Sequence, residues 1–202
     1  MRTKWNSQKH VAGVILAAGM STRMGTAKQL LNLEGKPLLL HVLENARAAD
    51  CLTPLIIVLG HQASKIRQKI DFGADHVMIA KDYRLGQSAS LKAGLSVVPE
   101  SCDGVLFLLG DQPFISDDII CKVVVGFNQF GADIIIPTFG GKRGNPVLIS
   151  RNLFEQLFLI TGDIGARHLF SSYPERIIEI EVGPKSACLD IDTWEVYKAL
   201  YQ

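Results

Sequence analysis

Five short runs of consecutive apolar residues constrain the fold of this chain more than any other feature: Val11–Ala17, Pro54–Leu59, His76–Ala80, Gly104–Leu109 and Asp133–Pro137. Unbroken runs of this length mark strands buried on both faces, and such strands belong to parallel sheets covered by helices on either side. Between successive runs lie the amphipathic segments Pro37–Ala49, His61–Ile70, Ser88–Val98 and Ser116–Phe130. Pro37 suits a first helical position, Ser116 can cap its helix, and Asp117 and Asp118 complement the positive helix end. The alternation predicts a three-layer α/β/α sandwich on a mostly parallel, Rossmann-like sheet, with its ligand at the carboxyl ends of the strands. After Pro137 the rhythm changes. Gly140–Ser150 reads as a hairpin-type insertion, a helix starts at Arg151, and Arg176–Val182 alternates as an antiparallel strand does, giving a small antiparallel elaboration. With no linker, repeat or low-complexity tract, residues 1–202 are read as one domain.

Composition excludes several classes of function. A chain of 202 residues, 48% hydrophobic and 20% charged, can bury a real core and is poor material for disorder. Lys plus Arg number 21 against 20 Asp plus Glu, so neither nucleic acid nor a membrane surface is expected as a partner, and any bound polyanion must be small. The first ten residues, Met1–His10, are mildly basic, but Val11–Ala18 is too short for a signal h-region or a membrane span, and a cytoplasmic location is expected. Cys51, Cys102, Cys121 and Cys188 stand far apart without a CxxC pair, which supports neither zinc nor a disulfide framework. His10, His41, His61, His76 and His168 are scattered; His168 alone falls in a segment with functional character.

Two loops follow apolar strands and carry chemistry. The first, Leu16–Lys28, reads LAAGMSTRMGTAK. A Walker loop places four residues between its glycines and then Lys-Ser/Thr, whereas five residues separate Gly19 from Gly25 here and Thr26 follows; GxGxxG is absent too. What remains is Gly19 and Gly25 for close backbone approach, Ser21 and Thr22 as donors, and Arg23 and Lys28 as cations. That inventory suits a triphosphate, and it equally describes a solvated surface turn. The second loop, Leu109–Phe114, puts Asp111 on the same sheet edge, either to hold Mg²⁺ against phosphate oxygens or to shape the turn before Pro113.

The pattern Leu16-Ala-Ala-Gly-x-Ser-x-Arg-Met-Gly-x-x-Lys28, with Gly110-Asp-Gln-Pro113 and Gly144-Asn-Pro146, is similar to the nucleotidyltransferases of molybdenum cofactor biosynthesis, and within them to the cytidylyltransferase branch. Thr161–His168 and Leu189–Thr193 extend the resemblance over nearly the whole chain. It implies a nucleotide-diphospho-sugar transferase-like fold in which Leu16, Ala17, Ala18, Gly19, Ser21 and Gly25 wrap a nucleoside triphosphate and Arg23 and Lys28 meet its phosphates. Asp111 would hold Mg²⁺, with Asp192 as a second metal contact; Gln87 and Ser88 would meet base and ribose. Guanylyltransferases of the group usually read Leu-Ala-Gly-Gly, so Ala18 favours cytidine.

The implied reaction is attack by the phosphate of molybdenum cofactor (molybdopterin) on the α-phosphorus of CTP, with pyrophosphate leaving and a molybdenum hydroxylase as recipient of the product. A phosphate nucleophile is already anionic, so catalysis reduces to alignment and charge neutralisation without a general base. Arg143, Asn145 and Arg167 are the residues expected to receive the acceptor, although Lys142 and Arg143 read equally as a solvated hairpin tip. Alternatives are GTP as donor, a sugar or polyol phosphate as acceptor, and a non-catalytic protein that binds and inserts the cofactor. Retention of Arg23, Lys28 and Asp111 argues against the last.

Overall fold

Each of the five apolar runs is a strand of one sheet in a computed structural model, which describes residues 9–200; most of the basic N-terminal decapeptide lies outside the described residues. In chain order the strands are β1 (Val11–Ala17), β2 (Asn32–Leu33), β3 (Lys36–Pro37), β4 (Leu55–Leu59), β5 (His76–Ile79), β6 (Gly104–Leu109), β7 (Ile134–Phe139), β8 (Lys142–Arg143), β9 (Val147–Ser150) and β10 (Ile177–Gly183). The helices are α1 (Leu38–Ala48), α2 (Ala63–Lys69), α3 (Gln87–Leu95), α4 (Asp117–Phe130), α5 (Phe154–Leu159), α6 (His168–Ser172) and α7 (Trp194–Ala199). The main sheet runs β10-β7-β9-β6-β1-β4-β5, with β8 paired to β7, while β2 and β3 form a separate hairpin before α1.

Alternate side chains along the central strands enter opposite layers. Ile15, Ile57, Leu59, Leu106 and Leu108 pack with Leu39 and Leu43 of α1, Ile66 of α2 and Ile120 and Phe127 of α4. Val14, Ile56, Val58, Val105 and Phe107 pack with Leu91 and Leu95 of α3, Leu157 of α5 and Leu169 of α6. Both faces of β1, β4, β6 and β7 are therefore dry, as their unbroken apolar runs require, whereas His76–Ile79, read as buried on both faces, forms the edge strand β5 with His76 and Ile79 exposed. Ser116 caps α4, its Oγ accepting from the Ile119 N–H. Ser116→Ala should lower stability by about 1 kcal/mol, read as a lower denaturation midpoint at unchanged m-value; an unchanged midpoint would remove the cap from the account. Pro37 stands just before α1 at ψ 142° and closes β3, rather than occupying the first helical position.

Two expectations about strands are corrected. Of the hairpin-type insertion read over Gly140–Ser150, β8 does turn back antiparallel on β7, but Val147–Ser150 goes further: β9 inserts between β6 and β7, antiparallel to both, with all four residues buried. β10 pairs parallel to β7 at the sheet edge. Its alternation has another cause: Ile178 and Ile180 pack into the layer containing α4, while Glu179 and Glu181 are exposed on the other face. Alternation records one-sided cover and says nothing of strand direction.

The site follows from β1 and β6 being parallel neighbours, with Leu16 opposite Leu109. Both strands release their loops on one edge. Gly110 lets those loops meet: its N–H donates to the Leu16 carbonyl at 3.0 Å, and a Cβ there would sit 2.9 Å from the Ala17 methyl. Among the described residues no helix is long and apolar enough to cross a membrane, and all four cysteines are free thiols.

Candidate active site

A cavity of about 580 Å³ opens at the carboxyl ends of β1 and β6. Its floor is the end of β1, and the buried Gln29 braces the loop from beneath, donating from Nε2 to the carbonyls of Ala17 (3.0 Å) and Gly19 (3.4 Å). Ser21, at φ +51°, organises the turn: its carbonyl accepts from the N–H groups of Met24 and Gly25, and its Oγ accepts from Lys28 N–H at 3.3 Å.

The charged centre is a chain of ion pairs. Lys28 Nζ donates to Asp111 Oδ2 and to Asp192 Oδ1, and Arg23 Nη2 donates to Asp192 Oδ2 at 2.7 Å. The segment carrying Asp192 is sewn to the end of β6. Ile191 N–H donates to the Asp111 carbonyl at 3.1 Å, and Gln112 Nε2 donates to Asp190 Oδ1 at 2.8 Å. Burial works to lower the Lys28 pKa, but the Asp111 and Asp192 carboxylates outweigh it and hold the ammonium above its ordinary value. Burial raises Asp111, with Lys28 opposing incompletely, and raises Asp190 against the hydrogen bond from Gln112. For Asp192, burial is outweighed by Lys28 and Arg23, and its pKa falls. Lys28 is thus a permanent cation clamped by two carboxylates.

Among the described residues no three His, Cys, Asp or Glu side chains form a metal-holding group. Asp111 and Asp192 do converge on one point, the Lys28 ammonium. Two carboxylates completed by phosphate oxygens and water are an ordinary set for Mg²⁺, which seldom sits in an all-protein cage. The donor set therefore fits a cation shared with a polyphosphate; the point on which the two carboxylates converge is taken by the Lys28 ammonium.

Of the residues named from sequence, Leu16, Ala17, Ala18, Gly19, Ser21, Arg23, Lys28, Gln87, Asp111 and Asp192 line the cavity together. Gly25 does not; it makes the turn at φ +65°. Ser88 is buried under the start of α3 and lines a neighbouring groove. The three expected acceptor residues are not brought to the cavity. Arg143 gives both Nε (2.9 Å) and Nη2 (2.6 Å) to Glu179 across the sheet edge, Asn145 lies in the turn before β9, and Arg167 is exposed, although its charge reaches Asp190. His168 starts α6 outside the cavity.

Sequence reading missed Gln29, Tyr83, Arg84, Leu85, Asp163 and Asp190, which also line it. Asp190 was within reach, because a fully buried Ile191 flanked by two aspartates in an extended segment puts both carboxylates on one side. Nothing local marks Tyr83–Leu85, a 3₁₀ turn after β5.

The fold is a mixed sheet between helical layers whose strand ends present a cation-bearing glycine loop to a pair of aspartates, and this is the class of architecture that the family comparison identifies. Residues 13–177 match the MobA-like NTP transferase domain, and the chain belongs to that family. The solved structure of Rv0371c from Mycobacterium tuberculosis superposes with a TM-score of 0.88 at 31% identity, covering 96% of this chain and 98% of that one. Rv0371c has also been solved in complex with manganese (TM-score 0.83, 30% identity). A probable molybdenum cofactor guanylyltransferase of Natranaerobius thermophilus is 32% identical over 136 residues, 65% of this chain and 62% of that protein. Nicotine blue oxidoreductase of Paenarthrobacter nicotinovorans is 26% identical over 94% of this chain and 96% of its own. Several curated relatives are bifunctional GlmU proteins, of whose length this chain spans only about a quarter, 24–28%.

Proposed function

We propose that this chain is a Mg²⁺-dependent cytidylyltransferase that transfers CMP from CTP to the phosphate of molybdenum cofactor and releases pyrophosphate. The observation that carries the reading is the Lys28 ammonium held between Asp111 and Asp192, with Arg23 beside them, at the end of the glycine loop. Two cations and two convergent carboxylates are what a metal-bound triphosphate needs: the carboxylates would hold the cation, and the freed Lys28 and Arg23 would turn to phosphate oxygens. Mg²⁺, when bound, neutralises charge on the α-phosphate and the leaving group. The protein's part is alignment, with Gln29 and Ser21 keeping the loop backbone in shape and the Gln112–Asp190 bond keeping Asp192 opposite Asp111.

Cytidine is supported by the resemblance alone, through Ala18 where guanylyltransferases of the group usually carry glycine; the Ala18 methyl itself is buried against Gly60. The guanylyltransferase relative favours GTP as the alternative donor. We read the whole chain as one catalytic domain acting in the cytoplasm, with a molybdenum hydroxylase receiving the product. A second reading, an oxidoreductase, rests on the near full-length likeness to nicotine blue oxidoreductase. The deciding experiment is pyrophosphate release from CTP, GTP, UTP and ATP with purified molybdenum cofactor or sugar phosphates, beside a trial of nicotine blue reduction by NADH or NADPH. CTP with molybdenum cofactor is expected to lead. Equal rates with GTP would remove the base preference, and dye reduction without pyrophosphate release would replace the reading.

A further inference from the structure

The segment Thr161–His168, which carries Arg167, lies against the first turn of α3. Gln87 N–H donates to Asp163 Oδ1 at 3.1 Å and Ser88 N–H to the Gly162 carbonyl at 3.2 Å, so a distant segment takes two of the donors that a helix start leaves open. The approach is as close as glycine permits. A Cβ on Gly86, at φ +103°, would fall 2.6 Å from the Gly162 carbonyl and the Asp163 nitrogen, and one on Gly165 would fall 2.7 Å from Gln87 Oε1. This strap reaches the same cavity as the ion-pair centre: Asp163 lines it together with Tyr83, Arg84, Gly86 and Gln87. On the proposed function Arg23 and Lys28 meet the phosphates, and this second cluster, with the Tyr83 ring and the Asp163 carboxylate, is then the part of the cavity open to the base. Only Oδ1 of Asp163 is engaged; among the described residues no hydrogen-bond donor meets Oδ2. A carboxylate accepts hydrogen bonds and donates none.

We propose that Asp163 determines base specificity: Oδ1 fastens the strap to α3, while Oδ2 accepts from the exocyclic amino group of an amino-bearing base, cytosine or guanine, and so rejects uracil. Cytosine presents an N4 amino donor where uracil presents a carbonyl oxygen, and a carboxylate facing that oxygen loses its bond and meets a second acceptor. The inference deepens the nucleotidyltransferase reading and rests on this cavity holding a nucleoside triphosphate. One charge-assisted hydrogen bond corresponds to about 10- to 100-fold in affinity.

The test is calorimetric titration of CTP and UTP, each with Mg²⁺, into the full chain and into Asp163→Asn and Asp163→Ala. Wild type is expected to bind CTP at least about tenfold more tightly than UTP. In Asp163→Asn the amide oxygen still accepts from Gln87 N–H, which turns the amino group to the cavity; the CTP preference should vanish or invert at an unchanged unfolding midpoint. Asp163→Ala, which frees the strap, should weaken both nucleotides. Equal affinities in wild type, or an unchanged ratio in Asp163→Asn, would overturn the assignment while leaving the nucleotide site intact. Failure of wild type to bind any nucleoside triphosphate would overturn the site and the proposal together.

Discussion

Asp111→Ala is expected to leave turnover at background at every attainable Mg²⁺ concentration, a loss of at least about 1,000-fold in kcat. Asp111 lies two residues past the end of β6, which puts it opposite the glycine loop, and its side chain is only 14% exposed and bonded to Lys28. No neighbouring carboxylate can replace it: Asp192 is committed to the other side of the same ammonium, and Asp190 to Gln112. Truncation also leaves Lys28, 16% exposed, with one carboxylate in place of two, so some stability is lost as well. Asp111→Asn separates the two effects, since it keeps the shape and removes the charge. A folded Asp111→Asn variant with substantial activity would end the assignment of Asp111 to the reaction.

Lys28→Gln should lower kcat by about 100- to 1,000-fold, because a cation that stabilises transferring phosphate oxygens matters most where charge develops. The structure adds a second expectation of opposite sign. In the free protein Lys28 occupies the point between Asp111 and Asp192, so removing its ammonium should let manganese bind those carboxylates more tightly without nucleotide. Electron paramagnetic resonance titration of manganese into wild type and variant reads this directly. Equal manganese affinity in the two would show that the carboxylates are not where the metal sits. Arg23 is the milder case: at 67% exposure its pairing with Asp192 is screened by water, and it is free to swing toward a ligand.

Much of this architecture is legible in the residues themselves, for a local reason. A strand covered on both sides must be apolar at every position, and Val11–Ala17 and Gly104–Leu109 coincide with β1 and β6 to the residue. A helix start leaves backbone N–H groups open, and at α4 the Ser116 side chain satisfies one of them. The loop after β1 is marked by glycines, hydroxyls and cations within a few positions, and most of its named residues do line the cavity. Where reading failed, the deciding partner was far away in the chain. Nothing near Arg143 in sequence announces its partner Glu179. Val147–Ser150 looked like a hairpin arm because an apolar tetrapeptide does not say between which strands it will pair.

By itself, then, the sequence determined the five apolar strands and the helices between them, that a cation-bearing loop follows the first strand, and that Asp111 follows another, since each depends on cover or chemistry within a few neighbouring residues. Only the tertiary structure decided that β10 runs parallel to β7, that Asp192 closes on Lys28 opposite Asp111, and that the Thr161–His168 segment straps the start of α3. Apolar periodicity measures how much of a segment is covered and leaves open what covers it; partner and direction are set by long-range contacts whose free energy is shared among residues distant in the chain.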